Sequence, residues 1–108
     1  MKDILIDLDG VLNEYTGNYI DNYIPPIKNG AVRFLEKLSE KYNIIIFTTR
    51  NTKLAKQWLK DNNCGSFVKK ITNTKEPSYL IIDDRCLTFN GNYEDIILQI
   101  EKFKPWYK

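Results

Sequence analysis

Four short runs of hydrophobic residues divide the chain, and polar stretches separate them. The runs lie at 4–6, 44–47, 67–71 and 79–82, and the third is weaker because lysines interrupt it. An uninterrupted aliphatic run is typical of a strand that is buried on both faces, as in a parallel sheet. We therefore predict four strands, with 67–71 at an edge of the sheet, where charged side chains discourage pairing with another chain.

Amphipathic helices are predicted between and after these strands. The first covers about 29–42 with Asn29 as its N-cap, the second covers about 53–62 and stops before Gly65, and the third follows Asn92. The apolar stripes expected to face the sheet are Ala31, Phe34 or Leu35, Leu38 and Tyr42, then Leu54, Ala55, Trp58 and Leu59, then Tyr93, Ile96, Ile97, Ile100 and Phe103. The lysines of the second helix expected to face water are Lys53, Lys56 and Lys60. Strands that alternate with helices predict an α/β domain with a parallel sheet and right-handed crossovers.

The segment 13–29, between the first strand and the first helix, is polar and aromatic and contains Gly17, Pro25 and Pro26. Its 17 residues are more than a plain connection needs. We predict that this segment, called the flap below, covers the end of the first strand. The flap is too short to form a cap domain, so residues 1–108 are predicted to form one domain without a cap.

The chain has no histidine, which excludes Ser-His-Asp and Cys-His catalysis and His-ligated zinc. Its net charge of +2 does not by itself indicate a nucleic-acid-binding protein. No apolar run approaches the roughly 20 residues of a membrane span and no signal-peptide pattern precedes the first strand, so a cytoplasmic protein outside the membrane is predicted. The two cysteines, Cys64 and Cys86, have no CxxC spacing and are expected to be reduced. Proton transfer would therefore rely on carboxylates, lysine, tyrosine or water, and a metal would be a hard ion bound by oxygen.

Polar side chains follow three of the predicted strands at the point where each strand ends. They are Asp7 and Asp9 after the first, Thr48, Thr49 and Arg50 after the second, and Asp83, Asp84 and Arg85 after the last. Parallel strands bring their carboxyl ends to the same edge of a sheet, so these groups are predicted to converge. Four carboxylates at one edge repel each other unless a cation binds there. Mg²⁺ suits such a set, because it takes carboxylate oxygens and keeps water and phosphate oxygens as its other ligands.

At these residues the chain resembles the haloacid dehalogenase-like (HAD) hydrolase superfamily. The segments ILIDLDGVL, IIIFTTR and YLIIDDR, with Lys75 between the last two, are similar in kind and order to the four motifs of that superfamily. The resemblance implies a small capless phosphatase-type member, with a Rossmann-like (HAD-type) domain whose short, mostly parallel sheet has helices on both faces. It also implies a Mg²⁺-dependent phosphomonoester hydrolase that works through an aspartyl-phosphate.

The same resemblance implies a role for each motif residue. Asp7 would be the nucleophile that attacks phosphorus, and Asp9 would protonate the leaving oxygen and then take a proton from water. The metal ligands would be Asp7, Asp9, Asp83 and Asp84, the last directly or through water. The phosphate-binding residues would be Thr48 and Lys75, with Lys69 and Lys70 as alternatives to Lys75. The residues of a substrate rim would be Thr49, Arg50 and Arg85.

The sequence leaves the substrate and two other functional classes open. A receiver-like phosphoacceptor signalling module also carries acidic residues, a threonine and a lysine at the carboxyl edge of a parallel sheet, but its acidic pair follows the first strand and its lone acceptor the third. The other class is a catalytically silent phosphate-binding protein of the HAD-like fold. Without a cap, the phosphorylated substrate is predicted to be large, with the end of a nucleic acid as one candidate, unless a second copy of the chain closes the site as a homo-oligomer.

Overall fold

The fold is a four-stranded, all-parallel sheet with the strand order β3-β2-β1-β4. A computed structural model describes residues 1–108. The elements are β1 Asp3–Asp7, α1 Ala31–Ser39, β2 Asn43–Phe47, α2 Thr52–Asp61, β3 Lys70–Thr72, β4 Leu80–Ile82 and α3 Tyr93–Lys102. The prediction of a Rossmann-like α/β domain with a parallel sheet is confirmed, and β3 is an edge strand as expected. None of the helices has the length and apolar character needed to cross a membrane.

Strand β1 is central because it pairs with β2 on one side and with β4 on the other. Its aliphatic residues are buried on both faces of the sheet: Ile4 and Ile6 point to one face, and Leu5, which is fully buried, points to the other. A strand held in this way has little freedom. The carboxyl end of β1, with Asp7, is therefore fixed by neighbours on both sides.

The main hydrophobic core lies between the sheet and helices α1 and α2. It is formed by Ile4, Ile6, Ile44 and Ile46 from the strands, Ala31, Leu35, Ala55 and Leu59 from the helices, and Leu8, Leu12, Ile24 and Cys64 from the connections. Full burial of one aliphatic side chain stabilises the fold by about 1.5–3 kcal/mol. Of the two alternatives in the stripe of α1, Leu35 is the buried one and Phe34 is exposed.

The bounds of α2 agree with the prediction within one residue, but the residues expected to cap α1 and to stop α2 do not do so. Helix α1 begins after Gly30, whose φ of 90° only glycine adopts readily, and Asn29 makes no cap. Helix α2 ends near Asn63, which itself adopts a positive φ of 60°, and Gly65 opens a short 3₁₀-helical turn instead of stopping the helix. Asparagine and glycine share the left-handed conformation, so the pattern could not tell which would end the helix.

The last helix is also different from the prediction. Asn92 caps it as expected by accepting a hydrogen bond from the Asp95 amide. The stripe predicted to face inward is open to solvent, since Tyr93, Ile97 and Ile100 are 78%, 59% and 61% exposed. Helix α3 contains no buried residue.

The flap is closed at its base by backbone pairing. Asn13 and Ile27 form an antiparallel bridge, and the Glu14 amide donates to the Pro26 carbonyl at 2.9 Å. The indole N–H of Trp58 on α2 donates to the Pro25 carbonyl at 3.2 Å. The flap is therefore tied both to itself and to α2.

Candidate active site

Three carboxylates meet at the carboxyl edge of the two neighbouring strands β1 and β4. Asp7 is the last residue of β1, and Asp83 and Asp84 directly follow β4. The strands are in parallel register with Ile6 opposite Ile82, which sets the carboxylates side by side. Oxygen atoms of Asp7, Asp83 and Asp84 all lie within 4.8 Å of one another. We call these three residues the acidic cluster.

The acidic cluster is electrostatically unfavourable as it stands. Burial first, and then the charges of Asp83 and Asp84, raise the pKa of Asp7 from 3.8 to about 8. Burial first, and then its contact with Asp83, raise the pKa of Asp84 as well. Asp7 and Asp84 are thus pushed towards their neutral forms, because neither carboxylate forms an ion pair.

Asp84 is the member of the acidic cluster whose carboxylate oxygens have no partner. Both of its carboxylate oxygens are buried and have no hydrogen-bond partner. Gly10 makes room for this side chain, because a Cβ at position 10 would overlap the Asp84 carboxylate. A buried polar group without a partner is costly, and its presence beside two more carboxylates favours a bound cation.

Asp9 is not part of the acidic cluster, although the sequence grouped it with the metal ligands. Its Oδ2 accepts a hydrogen bond from Arg50 Nε at 2.8 Å, and its Oδ1 accepts one from Asn13 Nδ2 at 3.0 Å. Two donors therefore fix this carboxylate while it still lines the cleft beside Asp7. The Asp9 side chain therefore lies outside the acidic cluster and is held in place by Arg50 and Asn13.

Arg50 lies inside the protein and not at a substrate rim. It is 1% exposed, and besides Asp9 it bonds the flap: Nη1 donates to the Ile20 carbonyl at 2.8 Å, and the guanidinium lies over the Tyr19 ring at 4.6 Å. Its amide donates to Thr48 Oγ1. Arg50 thus joins the end of β2, Asp9 and the flap.

A cleft of about 170 Å³ opens over these groups. It is lined by Asp7, Asp9, Tyr15, Tyr19, Phe47, Thr48, Thr49, Asp83 and Arg85. The strand-end residues Thr48, Thr49 and Arg85 therefore reach the place that the sequence predicted for them. Tyr15 and Tyr19 of the flap, and Phe47 of β2, were missed as site residues; the only signal was the aromatic content of the flap.

Lys75 does not reach this cleft. It is exposed, it is not among the lining residues, and it makes no ion pair. Its alternatives are also elsewhere, since Lys69 lies 3.8 Å from Asp3 and Lys70 lies 2.8 Å from Glu76. Arg85 is the only cationic residue that lines the cleft.

The C-terminal tail, residues 103–108, lies against the turn after β1. The Trp106 indole N–H donates to the Gly10 carbonyl at 2.6 Å. Tyr107 packs edge-on against Tyr15 of the flap, with ring centroids 6.2 Å apart. Burial, and then the charge of nearby Asp84, raise the pKa of Tyr107. The tail therefore borders the candidate site.

Comparisons with known proteins support the fold and say nothing of the chemistry. No protein-family model matches the chain, and no curated protein matches it. A solved structure of a conserved protein from Bacteroides thetaiotaomicron is similar, with a TM-score of 0.61 and 20% sequence identity. The similarity covers 97% of this chain and 93% of that one. At this identity the likeness concerns the fold alone.

Proposed function

We propose that this protein is a Mg²⁺-dependent phosphomonoester hydrolase of the HAD-like type that forms an aspartyl-phosphate on Asp7. The observation that carries the proposal is the acidic cluster: three carboxylates within 4.8 Å, at the carboxyl end of the central strand, with unpartnered buried oxygens on Asp84. Open α/β sheets bind their ligands at this edge. The resemblance of the surrounding motifs to the HAD superfamily supports the same chemistry.

The donor set of the acidic cluster fits Mg²⁺, because it offers only carboxylate oxygens. Asp7, Asp83 and Asp84 would hold the ion, with the Asp84 contact direct or through water. When bound, Mg²⁺ would neutralise the cluster and the charge of an incoming phosphate. Because the pKa of Asp7 is raised to about 8 by burial and its acidic neighbours, a cation is also what would keep this carboxyl ionised at neutral pH.

Asp7 is the proposed nucleophile because it ends the central strand and lines the cleft. Its carboxylate would attack phosphorus in line, and the P–O bond to the leaving group would break. Asp9 would give a proton to that leaving oxygen and later accept one from the water that hydrolyses the acyl phosphate. Arg50 and Asn13 would orient Asp9 for both steps through their hydrogen bonds to its two oxygens.

The phosphoryl group would be held by Thr48 and Arg85. Both line the cleft, and Arg85 has the geometry for two parallel hydrogen bonds to phosphate oxygens. Lys75, to which the resemblance assigns this role, would need to move from its exposed position to contribute. We therefore assign the cationic contact to Arg85.

The cleft has room for little beyond the phosphoryl group. Its 170 Å³ is below the roughly 300–1,000 Å³ of pockets that enclose a small molecule. The leaving group would then lie outside the cleft, either as part of a large substrate or covered by a second copy of the chain. Light scattering combined with activity on small and large esters separates these two arrangements.

The test is hydrolysis of a chromogenic phosphomonoester with Mg²⁺. Asp7→Asn is expected to abolish turnover and keep the fold, because an amide does not attack phosphorus. The control Asp61→Asn, at the exposed end of α2, is expected to retain turnover. Asp9→Asn is expected to slow turnover and let phosphoenzyme accumulate. Normal activity in Asp7→Asn contradicts the mechanism. A long-lived phosphoaspartate without turnover in the wild type favours the phosphoacceptor alternative.

A further inference from the structure

A groove on the surface of the protein lies apart from the cleft of the candidate active site. It has a volume of about 770 Å³ and runs between α2, the 3₁₀ turn and the edge strand β3. Five lysines line it, Lys53, Lys56, Lys60, Lys69 and Lys70, and no acidic residue does. We call this cavity the basic groove.

The lysines of α2 that line the groove have no partners in the protein. Lys53, Lys56 and Lys60 form no ion pair, whereas Lys69 and Lys70 are paired with acidic residues outside the groove wall. The three α2 residues follow the spacing i, i+3, i+7 and so form a row on one face, about 10 Å long from the rise of an α-helix. A row of point charges matches a chain of phosphates better than it matches one small anion.

The first turn of α2 strengthens this local positive field. It contains no acidic residue, and Lys53 lies where the helix dipole is already positive. A lysine in that position is repelled by the positive end of the helix dipole and does not stabilise the helix. An anion bound along the row would relieve the repulsion.

The basic groove begins close to the candidate active site. Thr49 lines the cleft and Thr52 lines the groove, so only residues 50–51 lie between the two linings along the chain. The groove then follows α2 from its N-terminus, at the carboxyl edge of the sheet, towards Asn63 beyond its other end. A strand whose terminal phosphate lies in the cleft would therefore run towards the N-terminal end of α2, where the groove begins.

We propose that the basic groove binds the phosphodiester backbone of single-stranded nucleic acid, independently of sequence. This inference rests on the proposed function for one point only, that the terminal phosphate of the strand is the group presented to Asp7. The groove lining has no aromatic side chain for base stacking, so the contacts are electrostatic. The net charge of +2 does not indicate this site, because five of the lysines are gathered in one groove.

The test is fluorescence anisotropy of the full chain with a labelled single-stranded oligonucleotide that has no terminal phosphate. The variant Lys53→Gln/Lys56→Gln/Lys60→Gln removes the row, and Lys37→Gln/Lys41→Gln/Lys102→Gln removes the same charge from exposed positions outside the groove. Glutamine preserves helix propensity. The logarithm of the binding constant falls linearly with the logarithm of the salt concentration. Loss of three phosphate contacts is expected to make this slope less steep by about 2, whereas the control variant leaves the slope nearly unchanged.

Several outcomes overturn the proposal. The first is that the wild type does not bind the oligonucleotide at low salt. The second is that both triple variants weaken binding equally, and the third is that a duplex binds more tightly than a single strand. Hydrolysis gives an independent readout: the groove variant is expected to raise KM for a phosphorylated oligonucleotide and to leave turnover of a small chromogenic ester unchanged. If the wild type binds the oligonucleotide with the expected slope and hydrolyses neither ester, the proposed function fails and the groove stands.

Discussion

At the scale of single residues, Asn13 supports the turn after β1 and the start of the flap at once. It is fully buried, and its Oδ1 accepts hydrogen bonds from the amides of Gly10 and Tyr15, both at 3.1 Å. Its Nδ2 donates to Asp9. One amide side chain thus replaces the backbone partners that a regular strand would have supplied.

We expect Asn13→Ala to lower the free energy of unfolding by about 3 kcal/mol, because it leaves two buried amides without an acceptor. It is also expected to slow hydrolysis by releasing one oxygen of Asp9. Urea unfolding and a turnover assay measure the two effects. The matched control is Asn29→Ala, an exposed asparagine with no cap role; equal losses in both variants contradict the role of Asn13.

The raised pKa of Asp7 predicts that the metal-free protein loses stability as pH rises. The folded state binds a proton between the ordinary value of 3.8 and about 8, whereas the unfolded chain has released it. The contribution of Asp7 to stability is therefore fully present below about pH 4 and is lost as pH rises towards 8, by an amount on the order of 2 kcal/mol once residual solvent contact is allowed for. Thermal unfolding with a chelator present measures this. Asp7→Asn is expected to flatten the profile, and a wild type that gains stability over this range contradicts the prediction.

Sequence alone predicted the cleft residues that sit at strand ends, such as Asp7, Asp83 and Thr48. Their positions follow from chain direction, because parallel strands share one edge. The partners of Asp9 could not be predicted in this way. Arg50 and Asn13 are buried polar residues, and nothing local distinguishes them from exposed ones; their burial depends on how the flap folds back.

At the scale of elements, α3 shows the limit of periodicity. The spacing of Tyr93, Ile97 and Ile100 correctly predicted a helix, yet these residues face solvent. An apolar stripe indicates which face of a helix is expected to be buried, but it does not indicate which other element buries that face. For α1 and α2 the covering surface was implied, because a crossover between neighbouring parallel strands must lie on the sheet. Helix α3 follows the last strand and has no such constraint.

One buried cation, Arg50, ties the middle of the flap to Asp9. Arg50 donates one hydrogen bond to Asp9 through Nε and another to the Ile20 carbonyl through Nη1. Only a guanidinium has donors on separate nitrogen atoms that can reach both acceptors at once. We expect Arg50→Lys to keep the charge, lose one of these bonds and destabilise the protein by about 2 kcal/mol. Limited proteolysis should cut the flap faster than in the wild type. The exposed Arg33→Lys on α1 is the control, and unchanged cleavage in Arg50→Lys contradicts the tether.

At the scale of the whole molecule, a bound ion should stabilise the fold in proportion to its affinity. We expect Mg²⁺ at about 100 times its dissociation constant to add about 2.7 kcal/mol. The rise in Tm should be much smaller in Asp83→Asn, which removes a member of the acidic cluster, and unchanged in Asp61→Asn. Differential scanning calorimetry at increasing Mg²⁺ measures this. A Tm that does not respond to Mg²⁺ contradicts the metal site.

The hydrogen bond from Trp106 to Gly10 joins residues 96 positions apart and constrains the order of events during synthesis. The central strand β1 leaves the ribosome before its neighbour β4 and before the tail that holds its turn. Contacts this distant are slow to form, because the loop they close must be ordered before they contribute. A nascent chain would therefore have β1 and β2 available while the turn beside Asp7 still lacks its C-terminal support. The candidate site would mature only after Trp106 has folded back onto this turn.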